Sequence, residues 1–350
     1  MARSGRGRWG WGAGISRWPG VAAALSLAAC GGAEEPAGGP SFSQGKSPSR
    51  EPPSHVVGGF SITIPSYELA PGEEISPCYI FPLEVDGPST LVGGGVLRAV
   101  PGMHHGNITT RRVTGEGIRP CPEGSDGAIG GEAGDILDGG AVLFGSSTQI
   151  SGEEWQSFPE GVAFRVREGH EIVARMHYLN ASSAPLTVAP TYEWFTIDEA
   201  TLVHEIGPFA WNFRAFEIPA RSELTVTTAC RFPEPMHIVN ALPHMHALGT
   251  AFTAGFIGGP LDGERFLDSP GYDPTRGVIT QYDPAIDLGQ GEGARFSCTW
   301  KNTFDKTIEE GIGDNEMCIL FGYAYPPEHA FSTVATDEEH CVFLYPPVDP

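Results

Sequence analysis

From Ser61 onward, apolar and polar residues alternate in short runs: SITI, STLVGGGVLRAV, GAVLFG, GVAFRV, HEIVARMHYLN and PLTVAPTYEWFTI. A period of two, with turn residues between runs, predicts half-buried strands. After Thr201 the pattern restarts with AFEIPARSELTVTTAC, MHIVNALPHMHALGTAFTAGF, RFSCTW, EMCILFGYAYP and CVFLYP. No segment has the spacing of a long amphipathic helix. The expected fold is therefore all-β, with two successive antiparallel β-sandwich (jelly-roll-like) domains over 56–203 and 204–350. The stretch 258–293, rich in Gly, Asp and Pro, is expected to be loop with one or two weak strands. Composition agrees: 350 residues at 40% hydrophobic can fill one large core or two ordinary ones, and 47 Gly and 31 Pro suit short elements.

The start of the chain reads differently. Residues 1–29 hold Arg3, Arg6, Arg8 and Arg17 and then an apolar run from Val21 to Ala29, too short to span a bilayer as a mature helix. This is the form of a signal peptide. It ends Leu27-Ala28-Ala29-Cys30-Gly31, which looks like a bacterial lipobox with Cys30 as the lipidated residue. The expectation is an exported bacterial lipoprotein of the outer membrane, on its periplasmic or surface face, held to the membrane only through Cys30. Residues 30–55, mostly Gly, Pro, Ser and charge, are expected to form a flexible tether.

The formal charge of −22 argues against nucleic acid as a partner, because phosphate contacts need clustered Lys and Arg. Setting Cys30 aside leaves Cys78, Cys121, Cys230, Cys298, Cys318 and Cys341, an even set in an exported chain, where disulfides are the default. If each domain closes its own bridges, the first is Cys78–Cys121, adding on the order of 4 kcal/mol by loop closure. The other four remain open at this point.

Four short motifs carry candidate chemistry: Met103-His104-His105-Gly106, Arg175-Met176-His177-Tyr178, Pro243-His244-Met245-His246 and Glu316-Met317-Cys318. On a strand, residues two apart share a face, so His244 and His246 can serve one metal while Met245 points away. Adjacent His104 and His105 diverge on a regular strand and serve one metal only where the backbone is irregular, as Gly106-Asn107 suggests. Met317 lies on an apolar run with Cys318 on the opposite face. Imidazole suits zinc and copper alike, whereas a neutral thioether is a soft ligand that favours Cu(I).

Together these residues resemble the copper type II, ascorbate-dependent monooxygenases, the family of peptidylglycine α-hydroxylating monooxygenase and dopamine β-monooxygenase, over nearly the whole chain beyond the leader. The resemblance implies two copper ions, one held by His104, His105 and His177 and the other by His244, His246 and Met317. It also implies Cys230–Cys341 and Cys298–Cys318 beside Cys78–Cys121. In that family the methionine-bearing copper binds O₂ and hydroxylates a substrate C–H bond, the all-histidine copper stores an electron across an open cleft, and ascorbate or a similar external reductant restores both. His244, His246 and Met317 would then form the catalytic set.

The pattern also departs from the family. Peptide-processing members carry an arginine two residues before the His-x-His, where this chain has Leu242. They place an asparagine and a tyrosine two and four residues after the methionine, where this chain has Ile319 and Phe321. A glycine-extended peptide is thus not the expected substrate; an uncharged small molecule is. The competing reading is a non-catalytic copper-binding lipoprotein for storage, delivery or sensing, and a third is a zinc-binding or purely structural sandwich. His237 is expected to be a core histidine, with support of a metal ligand as the alternative, and His55, His170, His204, His329 and His340 surface residues.

Overall fold

A computed structural model describes residues 45–85, 87–122, 135, 140–146, 152–272, 278–311, 315–329, 332–336 and 341–343. The expected signal peptide, Cys30 and the first part of the tether lie outside the described residues, as does His340. Apart from two three-residue 3-10 turns, the named elements are all strands.

The first half builds two six-stranded sheets. In one, the central order is Val56–Thr63, Thr191–Ile197, Ser89–Ala99, Val162–Arg167 and His204–Glu205, with Gly152–Ser157 also on Ser89–Ala99. In the other, Arg119–Pro120, Cys78–Pro82, His170–Leu179, Met103–Arg112 and Val142–Gly145 lie in that order, with Glu74–Ile75 continuing along His170–Leu179. Alternation sends one face of each inward, so that Leu97, Phe164 and Trp194 of the first sheet meet Ile108, Ile172 and Ala174 of the second in one core. The second half repeats the plan with a six-stranded and a four-stranded sheet. Trp211, Ile286 and Leu320 of the one pack with Phe252, Phe296 and Trp300 of the other. The fold is all-β, as expected. Disulfides join Cys78–Cys121, Cys230–Cys341 and Cys298–Cys318.

Three details depart from the expectations. The chain leaves the first sandwich only after Glu205, because His204 and Glu205 pair in parallel with Val162 and Ala163. The stretch 258–293 contains a nine-residue strand, Thr280–Leu288, whose Tyr282, Ile286 and Leu288 are fully buried. The described end of the expected flexible tether is pinned: the backbone of Lys46 exchanges two hydrogen bonds with Gln281, and the Ser49 amide donates to Ser157 Oγ. Gln281 belongs to the second half and Ser157 to the first, so this strap crosses the junction.

The two halves also share a core. In the strand Ile319–Tyr325, Leu320 and Ala324 face their own sandwich, while Tyr323 enters the core of the first. Tyr323 stacks on Phe164 at 5.9 Å, meets Phe158 edge-on at 5.3 Å and donates to the Val142 carbonyl at 2.9 Å. Val239 of the neighbouring strand Met236–His244 joins it there. These two strands lead directly to the second set of candidate ligands.

Candidate metal centre

The strands Met103–Arg112 and His170–Leu179 are antiparallel neighbours, with His177 opposite His105 and Tyr178 opposite Met103. The register therefore shifts between those pairs, leaving His104 as the extra residue of a β-bulge. A bulge re-aims side chains that alternation would send apart. It brings the two adjacent histidine rings together, and it lies at the pair itself, just ahead of Gly106-Asn107. Ring nitrogens of His104, His105 and His177 all fall within 4.8 Å of one another. His177 Nδ1 is 3.3 Å from His105 Nε2, and the Nδ1 of His104 is buried without a hydrogen-bond partner. A buried imidazole nitrogen without a protein partner costs free energy unless something else fills its lone pair. A metal ion held there would do so.

Burial, followed by repulsion from the charges His177 and His246 would carry, lowers the His104 pKa to about 3. Burial likewise pushes His105 well below the ordinary range. Both are neutral at physiological pH, as ligation requires. Gly106 completes this corner: a Cβ there would lie 2.5 Å from both the Met176 methyl and the Tyr192 hydroxyl. We expect Gly106→Ala to lower stability by about 1–3 kcal/mol by overpacking, read as a fall in the denaturant midpoint. A midpoint equal to the parent's would mean that the bulge does not depend on this close approach.

The second set stands at the ends of the strands that suture the two halves: His244 closes Met236–His244, His246 follows it, and Met317 precedes Ile319–Tyr325. His244 lies opposite Ile319, and Leu242 opposite Phe321. The pairing ends at His244 and Ile319, so His246 and Met317 lie just beyond it. Met245 and Cys318 belong to the second core, whereas the His246 ring faces His104 of the first half. The rings of His244 and His246 are 5.3 Å apart, and burial lowers the His244 pKa to about 3. His246 Nδ1 lies 2.6 Å from the Asn315 carbonyl oxygen, which only accepts, so Nδ1 carries the proton and the lone pair is on Nε2, the nitrogen that could take a metal.

Met317 is 5% exposed and follows Glu316, to which the sequence reading gave no role. Glu316 is buried and accepts hydrogen bonds from the His246 amide at 2.8 Å, the Leu248 amide at 2.8 Å and Trp300 Nε1 at 2.9 Å. It thereby ties the end of the His-x-His segment to the residue before the methionine. Burial raises its pKa, against the opposing pull of His246 and these donors. An acid inside the apolar run EMCILFGYAY was the available signal.

The two sets are not held apart. The His104 and His246 rings are 6.5 Å apart and the His105 and His244 rings 6.3 Å, so the five imidazoles form one cluster where the resemblance implied an open cleft. The shared core around Val239 and Tyr323 is the physical reason. Beside the cluster, the Phe321 ring stands edge-on to His244 at 5.8 Å, and Leu242 and Phe321 are half-buried. His237 and His204 take no part: they stack on Tyr325 at 4.5 and 4.0 Å. His170 is buried rather than at the surface.

No known family and no curated protein matches the chain. Among solved structures, the major capsid protein P2 from bacteriophage PM2 aligns at 11% identity over 76% of this chain and 97% of that one, with a TM-score of 0.28. PNGF-II aligns at 9% identity over 81% and 63%, with a TM-score of 0.23. Likeness at this level carries no argument about the site.

Proposed function

We propose that this protein is an exported, lipid-anchored copper monooxygenase that hydroxylates a C–H bond of an uncharged small molecule. The observation that carries the reading is the convergence of five imidazoles, in a three-plus-two arrangement, with Met317 following the Glu316 carboxylate that accepts from the His246 amide. His104, His105 and His177 would hold one copper, and His244, His246 and Met317 the other. The donor sets differ in softness, and the thioether favours Cu(I). When bound, the coppers supply the one-electron chemistry that side chains lack. The balance is R–H + O₂ + 2 e⁻ + 2 H⁺ → R–OH + H₂O, with both electrons coming from an external reductant such as ascorbate.

The protein's own part is to keep the imidazoles neutral and to fix their directions. Leu242 and Phe321 offer an apolar wall with no charge to meet a substrate carboxylate, which favours an uncharged substrate. The three disulfides suit export to an oxidising compartment. The same apolar replacements favour a second reading, a copper-binding lipoprotein without catalysis.

Copper titration of the exported chain carrying Cys30→Ser tests the metal half of the proposal. We expect about two equivalents of Cu(I), and Met317→Ile to weaken one of them by tenfold or more while leaving the other. Fewer than two equivalents, or a Met317→Ile chain that binds like its parent, would overturn the assignment. Oxygen uptake with ascorbate separates the readings: an enzyme consumes O₂ and forms peroxide without its substrate, whereas a storage protein binds copper and consumes none.

A further inference from the structure

We propose that Glu74 is a positioning and redox-tuning residue for the three-histidine copper, acting through His177. The inference rests on the copper assignment above and goes beyond it. Its basis is one contact: Glu74 Oε1 lies 2.6 Å from His177 Nε2, while Nδ1 of the same ring faces His105 Nε2 at 3.3 Å. A carboxylate oxygen only accepts, so Nε2 carries the proton and the Nδ1 lone pair points toward the other histidines. Among the described residues, Glu74 is the one carboxylate within ion-pair distance of any of the five imidazoles.

The placement is built, although the side chain is 48% exposed. Glu74 belongs to a strand of only two residues, Glu74–Ile75, whose partners are Leu179 and Tyr178, directly after His177. Backbone bonds from Gly72 to Asn180 and from Asn180 to Glu73 clamp it, and the Glu73 carboxylate accepts from the Ala70 amide. The Asn180 side chain, fully buried, donates to the Leu69 and Ala184 carbonyls. This strand adds little to either core; what it delivers is a carboxylate on the outer nitrogen of a ligand ring.

A carboxylate accepting the outer N–H of a ligand imidazole fixes its tautomer and strengthens its other nitrogen as a donor. A stronger nitrogen donor favours Cu(II), whereas the thioether of the other set favours Cu(I). Glu74 would therefore set a copper bound by the three histidines at the lower potential, so that electron transfer to the methionine-bearing set would run downhill, with the one copper oxidised from Cu(I) to Cu(II) and the other reduced from Cu(II) to Cu(I). The proton stays between His177 and Glu74.

The test compares Glu74→Ala and Glu74→Gln with their parent in the exported chain carrying Cys30→Ser, by copper-affinity competition and by redox titration followed spectroscopically. For Glu74→Ala we expect a 10- to 100-fold loss of Cu(II) affinity at one site and little change for Cu(I). Each tenfold loss raises that potential by about 59 mV. Glu74→Gln, which still accepts from Nε2 but carries no charge, should fall between the two, and the methionine-bearing site should not move. Cu(II) affinity within twofold and potential within about 20 mV of the parent would overturn the inference, as would lost thermal stability with copper properties unchanged. A parent that itself fails to bind two coppers would instead sink the copper assignment, and this inference with it.

Discussion

Glu316→Ala is expected to destabilise the protein by about 3–5 kcal/mol, because it strips a buried acceptor from three N–H donors at once. The His246 amide, the Leu248 amide and Trp300 Nε1 all end on its two oxygens, and the side chain is 1% exposed. Water would have to enter a packed site to replace it. Each donor left unmet costs about 1–3 kcal/mol, offset in part by relief from keeping a carboxyl buried. Glu316→Gln keeps one acceptor oxygen and turns an NH₂ toward a donor, so it should recover less than half of the loss. The functional consequence is local: His246 and Met317 flank this carboxyl in space and in sequence, so copper binding should fall at the methionine-bearing set and persist at the three-histidine set. Denaturant unfolding and copper stoichiometry check both parts. A Glu316→Ala chain within 1 kcal/mol of its parent would show that the three bonds do not hold this segment.

Tyr323→Ala should cost about as much, for a different reason. Truncating a buried aromatic to alanine costs about 3–5 kcal/mol through lost transfer energy and the cavity left behind. Here the cavity opens where the two sandwiches share a core, since Tyr323 stacks on Phe164 and meets Phe158. Tyr323→Phe removes only the hydroxyl that donates to the Val142 carbonyl and should cost about 1 kcal/mol. The contrast isolates the role of the ring. The Ala variant should also loosen the apposition of the two histidine sets without touching a ligand, and so become open to proteolysis near the junction after Glu205. If Tyr323→Ala resists cleavage there as its parent does, the shared core is not what closes the cluster.

How much of this was legible in the chain can be argued residue by residue. Strand identity was local: alternation in runs such as HEIVARMHYLN follows from the period-two geometry of a strand, and the structure carries the same runs as strands. His244 and His246 were read as a pair on one strand; the strand in fact ends at His244, and the two rings still stand 5.3 Å apart. Cys78–Cys121 followed from counting cysteines in each half, whereas the other two bridges and the two ligand sets came from resemblance, since no local rule pairs Cys230 with Cys341 across 111 residues.

What remained hidden depends on chain segments that meet only after folding. The bulge at His104 exists relative to a partner strand, with His105 and His177 separated by 72 residues. The Glu316 carboxylate serves an amide 70 residues away, and Glu74 reaches a ring 103 residues away. Tyr323 closes on Val142 across 181 residues, and with it the distance between the two histidine sets is set. Periodicity decides which way each side chain leaves its own strand. Which strands come together, in what register and around which shared core, is decided by burying the most apolar surface with every backbone donor met, a property of the whole chain rather than of any stretch of it.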